Sequence, residues 1–477
     1  MLFDLDLSER KQLYNHVIRL LEDYYDHPES VRVSPALDLQ EVIQHVRAKD
    51  FNHLDSPKHS LEFIVDALNK MAVHTPHPHY YGLFNPRSNF AGILADLITG
   101  VFNPQMAAWS HSPFAVEVEN YLIQTFGEKF GIGKADGVFA GGGAEANLTA
   151  TLCALNHKFP TFGTSGLQGL DSKPVMYCSV ESHHSVARSA MCVGLGLNAV
   201  RNIPVNDQLQ MDIPSLQDQI LKDIEKGFSP FMVIGTAGTT GQGAIDDLGA
   251  VSQLAQKYKL WFHTDAAYGG AAIISPNLSP LLTGIEHSDS ITFDAHKWLS
   301  VPMATSMLIT GHEEILSKTF RITAEYMPKD ASDLPITDPF THSIQWSRRF
   351  IGLRVYLSLL FYGWEGYRST IDHQSTMGDL LKKELKRNDW SILNHSDLPI
   401  VCFTDEVLHQ QPHFDRWVVS EIVKSGKAWI STYPIGGKNT IRACITNYAT
   451  DEMHIHELVA LLNQQRTAFR QSQFDQL

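Results

Sequence analysis

The chain has 477 residues, of which 43% are hydrophobic and 19% charged, a composition typical of a globular protein. At roughly 150 residues per domain, this length predicts about two to four domains. The formal net charge of −14 argues against nucleic acid or an anionic membrane as the main partner, because both require a basic surface.

The cysteines and the N-terminal residues bear on the compartment. The five cysteines are scattered and form no C-x-x-C pair, which favours a reduced intracellular protein. The first 25 residues contain early acids and lack the basic start and apolar core of a signal peptide. No apolar run approaches the ~18 residues of a membrane span. The sequence therefore predicts a cytoplasmic protein without a membrane partner.

The first part of the chain is predicted to be helical. Residues 8–24 and 60–73 place apolar side chains at helical spacing. Residues 74–79 then alternate proline and histidine, as in a breaker-rich linker. A surface or interface connector explains this linker better than a metal site at its histidines, and no metal ion is predicted.

Short apolar strands alternate with helices from about residue 85 to residue 340. This alternation predicts a largely parallel sheet that is covered on both faces. The strand candidates are residues 175–179, 231–235, 261–265 and 290–293. A long helical run over 345–387 follows, and the remaining residues predict a smaller α+β domain, with strands near 400–404, 427–433 and 440–446 and a last helix near 451–470.

Lys297 and Asp265 are the first candidates for chemistry. Lys297 directly follows a buried strand and precedes Trp298, although a lone lysine at a strand end is usually a surface residue. A lysine that forms a Schiff base needs a desolvated pocket. Asp265 ends the strand WFHTD, where ligands bind in α/β sheets, although an aspartate there also caps local structure. Together they indicate pyridoxal phosphate (PLP), whose pyridine nitrogen needs an acidic partner.

Three further segments fit such a cofactor. The run of small residues over 141–147 leads into a helix and exposes backbone N–H groups to a phosphate. It matches neither the P-loop nor the dinucleotide fingerprint, so nucleotide binding is disfavoured. His183 can stack on a flat ring, although a lone histidine is more often structural. Thr236 ends another strand with a hydroxyl available to a cofactor, unless it belongs to a plain turn.

In this order, the segments resemble the group II PLP-dependent amino acid decarboxylases, a family that includes aromatic amino acid, glutamate, cysteine sulfinate, diaminobutyrate and histidine decarboxylases. The resemblance covers roughly residues 60–470. Its motifs are GGGAEAN, ESHHSVARSA, AGTTGQGAIDD, HTDAAYGG and DAHKW. It implies an α/β fold of the fold type I (aminotransferase-like) architecture, with a mainly parallel seven-stranded sheet in the large domain and a smaller C-terminal α+β domain.

The resemblance also implies a division of the chain. Residues 1–84 would form an N-terminal helical segment that interlocks with a second subunit. Residues 85–345 would form the large PLP-binding domain, and residues 346–477 the small C-terminal domain. The family implies a homodimer with active sites at the subunit interface.

By motif, the resemblance assigns the residues around the cofactor ring. Lys297 would hold PLP as a Schiff base, and Asp265 would pair with the pyridine nitrogen. Ala267 would pack under the ring and His183 would stack on its opposite face.

The resemblance assigns a second group to the phosphate side. Gly143, Ala144 and Asp294 fall at phosphate-loop positions, and His296 would contact the same side of the cofactor. The family often has Asn or Ser at position 294, so an aspartate beside a phosphate dianion is electrostatically unusual. The positions that flank the pocket are Thr236 and Asp246.

Two residues bear on the reaction. Tyr326 matches a tyrosine that protonates Cα after carbon dioxide leaves, and relatives with Phe there tend to be aldehyde synthases. Arg442 matches an arginine that binds the substrate carboxylate in some members, as suits a bidentate guanidinium, although it could equally form a structural ion pair.

The substrate pocket does not decide among aromatic, acidic and basic amino acids. Tyr81 and Trp109 fall in segments that resemble the lining of the substrate site. Ala107 is small where aromatic-acting relatives tend to have a large apolar residue. Arg87 could pair with an acidic side chain, but an exposed loop arginine is the simpler interpretation.

The resulting hypothesis is the PLP-dependent decarboxylation of an L-amino acid to an amine and carbon dioxide. One alternative is another PLP reaction on the same fold, such as decarboxylation-dependent oxidative deamination to an aldehyde, transamination or C–C lysis, because a fold alone does not select a reaction. A non-catalytic PLP-fold binding protein is an alternative of another class. A nicotinamide dehydrogenase is disfavoured because its glycine fingerprint is absent.

Overall fold

A computed structural model describes residues 3–36, 38–322, 336–411 and 413–474. The chain divides into two compact units. The terminal unit combines Met1–Leu83, Asp379–Leu393 and Val401–Leu477, and the central unit combines Phe84–Gly378 and Asn394–Ile400. The division at residues 84 and 345 stays a prediction about sequence segments.

The central unit is built on a seven-stranded sheet with the order β1-β7-β6-β5-β4-β2-β3. Strands β6, β5, β4, β2 and β3 run parallel, while β7 is antiparallel to both β6 and β1. Every residue of β2, β5, β6 and β7 is buried, as expected when both faces are covered. The strands are β1 (Asp136–Ala140), β2 (Pro174–Ser179), β3 (Val200–Ile203), β4 (Ser229–Thr236), β5 (Trp261–Asp265), β6 (Ser290–Asp294) and β7 (Ser306–Thr310).

Helices connect these strands and cover the sheet. Helix α6 packs against β1, β4, β5, β6 and β7 and is therefore the central helix of the unit. The helices of this unit are α4 (Phe90–Phe102), α5 (Pro113–Lys129), α6 (Gly143–Lys158), α7 (Phe162–Ser165), α8 (Ser185–Cys192), α9 (Ile213–Glu225), α10 (Leu248–Tyr258), α11 (Ala295–Trp298) and α12 (Ile315–Phe320). Helix α13 (Gly352–Arg387) contributes to both units and has a non-helical Gly363 with φ 59°.

The terminal unit contains a four-stranded sheet with the order β10-β11-β9-β8. Strand β10 pairs antiparallel with β11, and β8 pairs antiparallel with β9. The strands are β8 (Ser391–Ile392), β9 (Ile400–Thr404), β10 (Ser431–Ile435) and β11 (Lys438–Cys444). The helices are α1 (Leu7–Asp26), α2 (Leu39–Arg47), α3 (Pro57–Met71), α14 (Phe414–Ser425) and α15 (Glu452–Phe474).

The predicted fold class is confirmed. The mainly parallel seven-stranded sheet and the smaller α+β part are both present. The four predicted strands of the large sheet match β2, β4, β5 and β6 closely, whereas the predicted helix at 345 begins only at Gly352. Within the described ranges, no helix is both long and apolar enough to cross a membrane.

Candidate active site

The carboxyl ends of three neighbouring parallel strands bring the candidate residues together. Thr236 ends β4, Asp265 ends β5, and Asp294 ends β6. Thr236 lies opposite Asp265 in the strand register, and Asp265 lies opposite Thr292. Because parallel strands end at one edge of a sheet, these side chains and Lys297 share the position where α/β proteins bind ligands.

Lys297 lies beside a buried carboxylate. Its Nζ is 3.1 Å from Asp294 Oδ2, and its side chain is 20% exposed. His296, its neighbour in helix α11, places Nε2 3.8 Å from the same oxygen and Nδ1 2.9 Å from the carbonyl oxygen of Thr305. Burial lowers the pKa of His296, while the Asp294 charge acts in the opposite direction. The lysine side chain is thus partly exposed, while the carboxylate that its amine contacts is buried.

Asp265 is held from two sides. Its Oδ2 accepts a hydrogen bond of 2.9 Å from Asn147 Nδ2, and its Oδ1 accepts one of 3.2 Å from the backbone N–H of Ala267. The side chain is 5% exposed. Donors on both oxygens fix the direction of this buried carboxyl group.

Asn147 connects Asp265 to the rest of the site. Its Nδ2 also donates to Ser185 Oγ at 2.8 Å. Its Oδ1 accepts from Thr292 Oγ1 at 2.7 Å and lies 3.0 Å from His263 Nε2. A primary amide has two N–H donors and two lone pairs, so all four are used here.

His183 belongs to the same group of residues. Its Nδ1 lies 2.8 Å from Ser185 Oγ and accepts the Ser185 backbone N–H at 3.2 Å. Burial lowers the pKa of His183, with the charge of Asp265 acting in the opposite direction. The ring is therefore neutral near pH 7, as suits a group that stacks on a flat ring.

The N-terminus of helix α6 lies next to Asp294. No side chain among the described residues caps this helix, so the first-turn N–H groups at Gly143 and Ala144 point to an open end. A Cβ on Gly143 would come within 2.9 Å of Asp294 Oδ2, so the backbone approaches this side chain closely. Asp294 Oδ1 is buried and has no hydrogen-bond partner among the described residues.

Thr236 and Asp246 form a separate contact at the end of β4. Asp246 Oδ2 accepts the Thr236 backbone N–H at 2.8 Å, and its Oδ1 accepts the Met211 N–H at 2.7 Å. Burial raises the pKa of Asp246 to about 6. The Thr236 hydroxyl lies 3.2 Å from Ser182 Oγ. Asp246 thus positions the strand end by binding its backbone.

The residues predicted for the substrate are spread over both units. Tyr81 and Arg442 belong to the terminal unit, where the Tyr81 hydroxyl donates to the carbonyl of His454 at 2.8 Å and Arg442 Nη1 donates to the carbonyl of Gly82 at 2.7 Å. Trp109 belongs to the central unit, where its Nε1 donates to Glu117 at 2.7 Å. Tyr326 lies outside the described residues. The substrate roles of all four stay predictions.

An aromatic surface adjoins the lysine amine. The Phe84 ring lies 5.5 Å from Lys297 Nζ, measured to the ring centroid. Phe84 stacks on Tyr268 at 4.0 Å between centroids, and Tyr268 stacks on Trp298 at 5.2 Å. The amine therefore has a carboxylate on one side and a π face on another.

This donor set fits PLP. A phosphate needs N–H donors, which the uncapped start of α6 provides. A pyridinium nitrogen needs a buried carboxylate, which Asp265 provides, and an aldehyde needs an amine such as that of Lys297. Asp294 Oδ1 is buried without a hydrogen-bond partner among the described residues, and a phosphate dianion, which only accepts, does not supply the donor that it lacks.

Sequence reasoning missed Asn147, Ser185 and His263 as site residues. All three lie inside motifs whose neighbours were singled out. Strand periodicity offered a signal for His263, because residues two apart on a strand share a face and His263 precedes Asp265 by two. Asn147 follows Gly143 by one helical turn, a spacing that any helical residue can have, so it offered no distinctive signal.

Comparison with known proteins gives concordant matches. Residues 46–405 match the family model described as the pyridoxal-dependent decarboxylase conserved domain. The chain is 31% identical over 463 residues to an aromatic-L-amino-acid decarboxylase of Bacillus atrophaeus, covering 94% of each chain. It is also 26% identical to a phenylacetaldehyde synthase of a Rosa hybrid cultivar, covering 95% of this chain and 93% of that protein.

One solved structure has a similar fold. The crystal structure of Oryza sativa TDC with PLP and tryptamine superposes with a TM-score of 0.91 at 23% identity. The match covers 98% of this chain and 99% of that chain. At this identity the likeness establishes the fold.

Proposed function

Since the chain belongs to the pyridoxal-dependent decarboxylase family, we propose specific roles for its residues in the decarboxylation of an amino acid. The protein is a PLP-dependent carboxy-lyase that releases carbon dioxide from an L-amino acid. The observation that carries the roles is the shared sheet edge, where Asp265 ends β5 and Lys297 follows the adjacent parallel strand β6.

One set of residues holds the cofactor. Lys297 binds its aldehyde carbon, and Asp265 keeps a proton on its pyridine nitrogen. His183 covers one ring face, and Ala267 lies against the other. The groups on the phosphate side are the N–H groups of Gly143 and Ala144, together with Asp294 and His296, and Thr236 and Asp246 flank the pocket.

The remaining roles concern the substrate. When bound, PLP accepts the electron pair that the leaving carboxylate would otherwise leave on Cα. Arg442 binds the substrate carboxylate, and Tyr81 and Trp109 line the side-chain pocket. Tyr326 donates the proton that Cα receives, which makes the amine rather than the aldehyde the product. The protein's contribution would be to orient the substrate so that the bond between Cα and the carboxylate is the one that breaks.

We infer that the substrate carries an aromatic side chain. The Phe84 ring beside the Lys297 amine offers a stacking surface, since aromatic pairs gain about 1 kcal/mol beyond area burial. The aromatic-L-amino-acid decarboxylase of Bacillus atrophaeus supports the same class.

A panel of L-amino acids tests both the reaction and the substrate class. The panel contains tryptophan, tyrosine, phenylalanine, aspartate, glutamate and 2,4-diaminobutyrate, with carbon dioxide, amine, ammonia and aldehyde measured together. We expect carbon dioxide and amine in equal amounts, with the highest kcat/KM for an aromatic member. Aldehyde and ammonia as main products would instead favour oxidative deamination, and preference for an acidic member would overturn the substrate class.

We also propose a homodimer, for which an exposed apolar face provides support. Six apolar side chains of helix α4 are more than a third exposed, up to 80% at Phe102, and monomers rarely expose contiguous apolar surface of this extent. They are Phe90, Ile93, Leu97, Ile98, Val101 and Phe102. Light scattering should give twice the chain mass of 53.4 kDa, and Phe102→Glu should lower it.

A cytoplasmic location is the last part of the proposal. The five cysteines are scattered along the sequence and form no C-x-x-C pair, which suits a reducing compartment. Fractionation of cells that express the tagged full chain should recover it with cytoplasmic markers. Recovery with a membrane or secreted fraction would contradict this location.

A further inference from the structure

The amide of Asn147 has a fixed orientation. A carboxylate only accepts hydrogen bonds, so the atom facing Asp265 Oδ2 at 2.9 Å must be the donor Nδ2. The Oδ1 atom then faces Thr292 and His263. Asn147 is 3% exposed, so water does not compete for these contacts.

The contacts of His263 determine which of its nitrogens carries the proton. The Trp261 indole is a donor only, and its Nε1 donates to Ser290 Oγ at 2.8 Å. Asn147 Oδ1 only accepts, so His263 Nε2, 3.0 Å away, is the donor, and His263 Nδ1 accepts a hydrogen bond from the Ser290 hydroxyl at 2.8 Å. Burial lowers the pKa of His263 to about 4, so the ring is neutral near pH 7 and carries its proton on Nε2. That proton points to Asn147 Oδ1.

The contacts of His183 follow the same logic. The Ser185 backbone N–H can only donate, so His183 Nδ1 is an acceptor. Ser185 Oγ accepts a hydrogen bond from Asn147 Nδ2, and its hydroxyl donates a hydrogen bond to His183 Nδ1. The neutral His183 ring therefore carries its proton on Nε2.

We propose that Asn147 is a positioning residue that holds Asp265 for the pyridine nitrogen and, through Ser185, fixes the Nε2–H form of His183. This inference rests on the proposed roles of Asp265 and His183. Asn147 couples them because both of its N–H bonds originate from one nitrogen, so a rotation that weakens one bond also weakens the other. His263 and Thr292 prevent that rotation from the opposite side.

Two substitutions remove the coupling in different ways. Asn147→Asp keeps the shape but places a second carboxylate 2.9 Å from Asp265, and neighbouring carboxylates retain a shared proton. Asn147→Ala removes both donors and leaves Asp265 Oδ2 without this partner. In both variants Asp265 becomes a weaker partner for a protonated pyridine nitrogen.

The test is a titration of the apoenzyme with PLP, followed by a pH titration of the absorbance of the bound cofactor. For both Asn147 variants we expect the Kd for PLP to rise by at least about tenfold, the size expected when a buried charge loses a hydrogen bond. We also expect the pH midpoint of the absorbance change to move. Ser185→Ala, which breaks only the His183 branch, should shift the pH profile of kcat and leave the Kd nearly unchanged.

The matched control is Thr149→Val on the same helix. Thr149 is buried, and its hydroxyl only donates to the Glu145 carbonyl, so this isosteric change should leave the Kd and the pH midpoint as in wild type. Thermal unfolding without PLP identifies any variant that fails to fold. The Kd for PLP and the pH midpoint are then compared among the variants that do fold. Wild-type PLP affinity and pH midpoint in folded Asn147 variants overturn the inference alone, whereas a wild-type protein that does not bind PLP overturns the proposed function with it.

Discussion

Among the single residues of the site, Asp294 is the one whose charge is least expected. It lies 3.1 Å from the Lys297 amine, and its second oxygen has no hydrogen-bond partner in the described part of the chain. It also adjoins Gly143, at the end of a helix whose N–H groups suit a phosphate. A buried carboxylate beside a phosphate dianion weakens phosphate binding by like-charge repulsion.

We therefore expect Asp294→Asn to bind PLP more tightly. The amide keeps the shape and removes the repulsion, and a tenfold lower Kd is the expected size, corresponding to about 1.4 kcal/mol. Equilibrium titration of the apoenzyme measures it. Asp207→Asn, an exposed aspartate of the central unit, changes the net charge equally and should leave the Kd unchanged. Weaker binding by Asp294→Asn would show that the ion pair with Lys297 matters more.

At this scale the sequence indicated Lys297, Asp265 and His183 because each stands in a recognisable motif after a strand. It did not indicate Asn147, since an asparagine inside a helix has no distinctive local pattern. Its importance depends on contacts with residues more than 30 positions away, as with Ser185 and Asp265. Local spacing does not report such contacts.

Among the elements, helix α6 carries the site. Its first turn has no side-chain cap in the described residues, and its second turn supplies Asn147. Gly142 is the N-cap and Gly143 the first residue of the helix, and the two differ in their surroundings. A Cβ on Gly143 would approach Asp294 Oδ2 to 2.9 Å, whereas a Cβ on Gly142 would meet no described atom within 4 Å.

This difference predicts that alanine substitutions at the two positions have different effects on the Kd for PLP. Gly143→Ala should push the helix start away from Asp294 and raise the Kd for PLP by roughly tenfold, as expected for a loss of about 1.4 kcal/mol. Gly142→Ala is the matched control and should change it little, because its extended backbone is open to any residue. PLP titration of both apoenzymes measures the effect, and equal affinities would contradict the close-approach argument.

The strands of the large sheet show what patterns do and do not predict. Four of the buried parallel strands were predicted from apolar runs, and β2, β4, β5 and β6 occupy nearly those residues. Strand β3 has only four residues with a mixed burial pattern, too short a run to separate from a loop. The start of helix α13 was placed too early, since residues 345–351 precede the helix, which begins at Gly352.

Across the whole molecule, contacts distant in sequence determine how the chain is grouped. The Tyr81 hydroxyl binds the carbonyl of His454, 373 positions later, and both lie in the terminal unit. Local patterns in consecutive sequence segments do not predict such pairings. The fold class was nevertheless predictable, because the alternation of strands and helices is local.

Two buried histidines make stability depend on pH. Burial lowers the pKa of His263 in the central unit and of His77 in the terminal unit to about 4, from the ordinary value of 6.5. At a pH between these two pKa values, the histidines are protonated in the unfolded chain and neutral in the folded chain. The contribution of these two histidines to the free energy of unfolding is therefore complete above pH 6.5. It decreases as the pH is lowered towards 4, by about 1.4 kcal/mol per pH unit for each histidine.

Denaturant midpoints measured from pH 7 to pH 4 test this expectation. His263→Gln should flatten the decline, because glutamine keeps an N–H donor and does not take up a proton. The exposed His287→Gln is the control and should retain the wild-type slope. An identical slope in the His263 variant would show that other groups cause the acid sensitivity.

The attachment point of the cofactor shows whether Lys297 is the residue that holds it. Borohydride reduces a Schiff base to a stable secondary amine, so the holoenzyme can be reduced, digested and mapped by mass spectrometry. We predict that the pyridoxyl group is found on the peptide that contains Lys297, and that Lys297→Ala carries none. A pyridoxyl group on any other lysine, or none on the wild-type protein, would contradict the account.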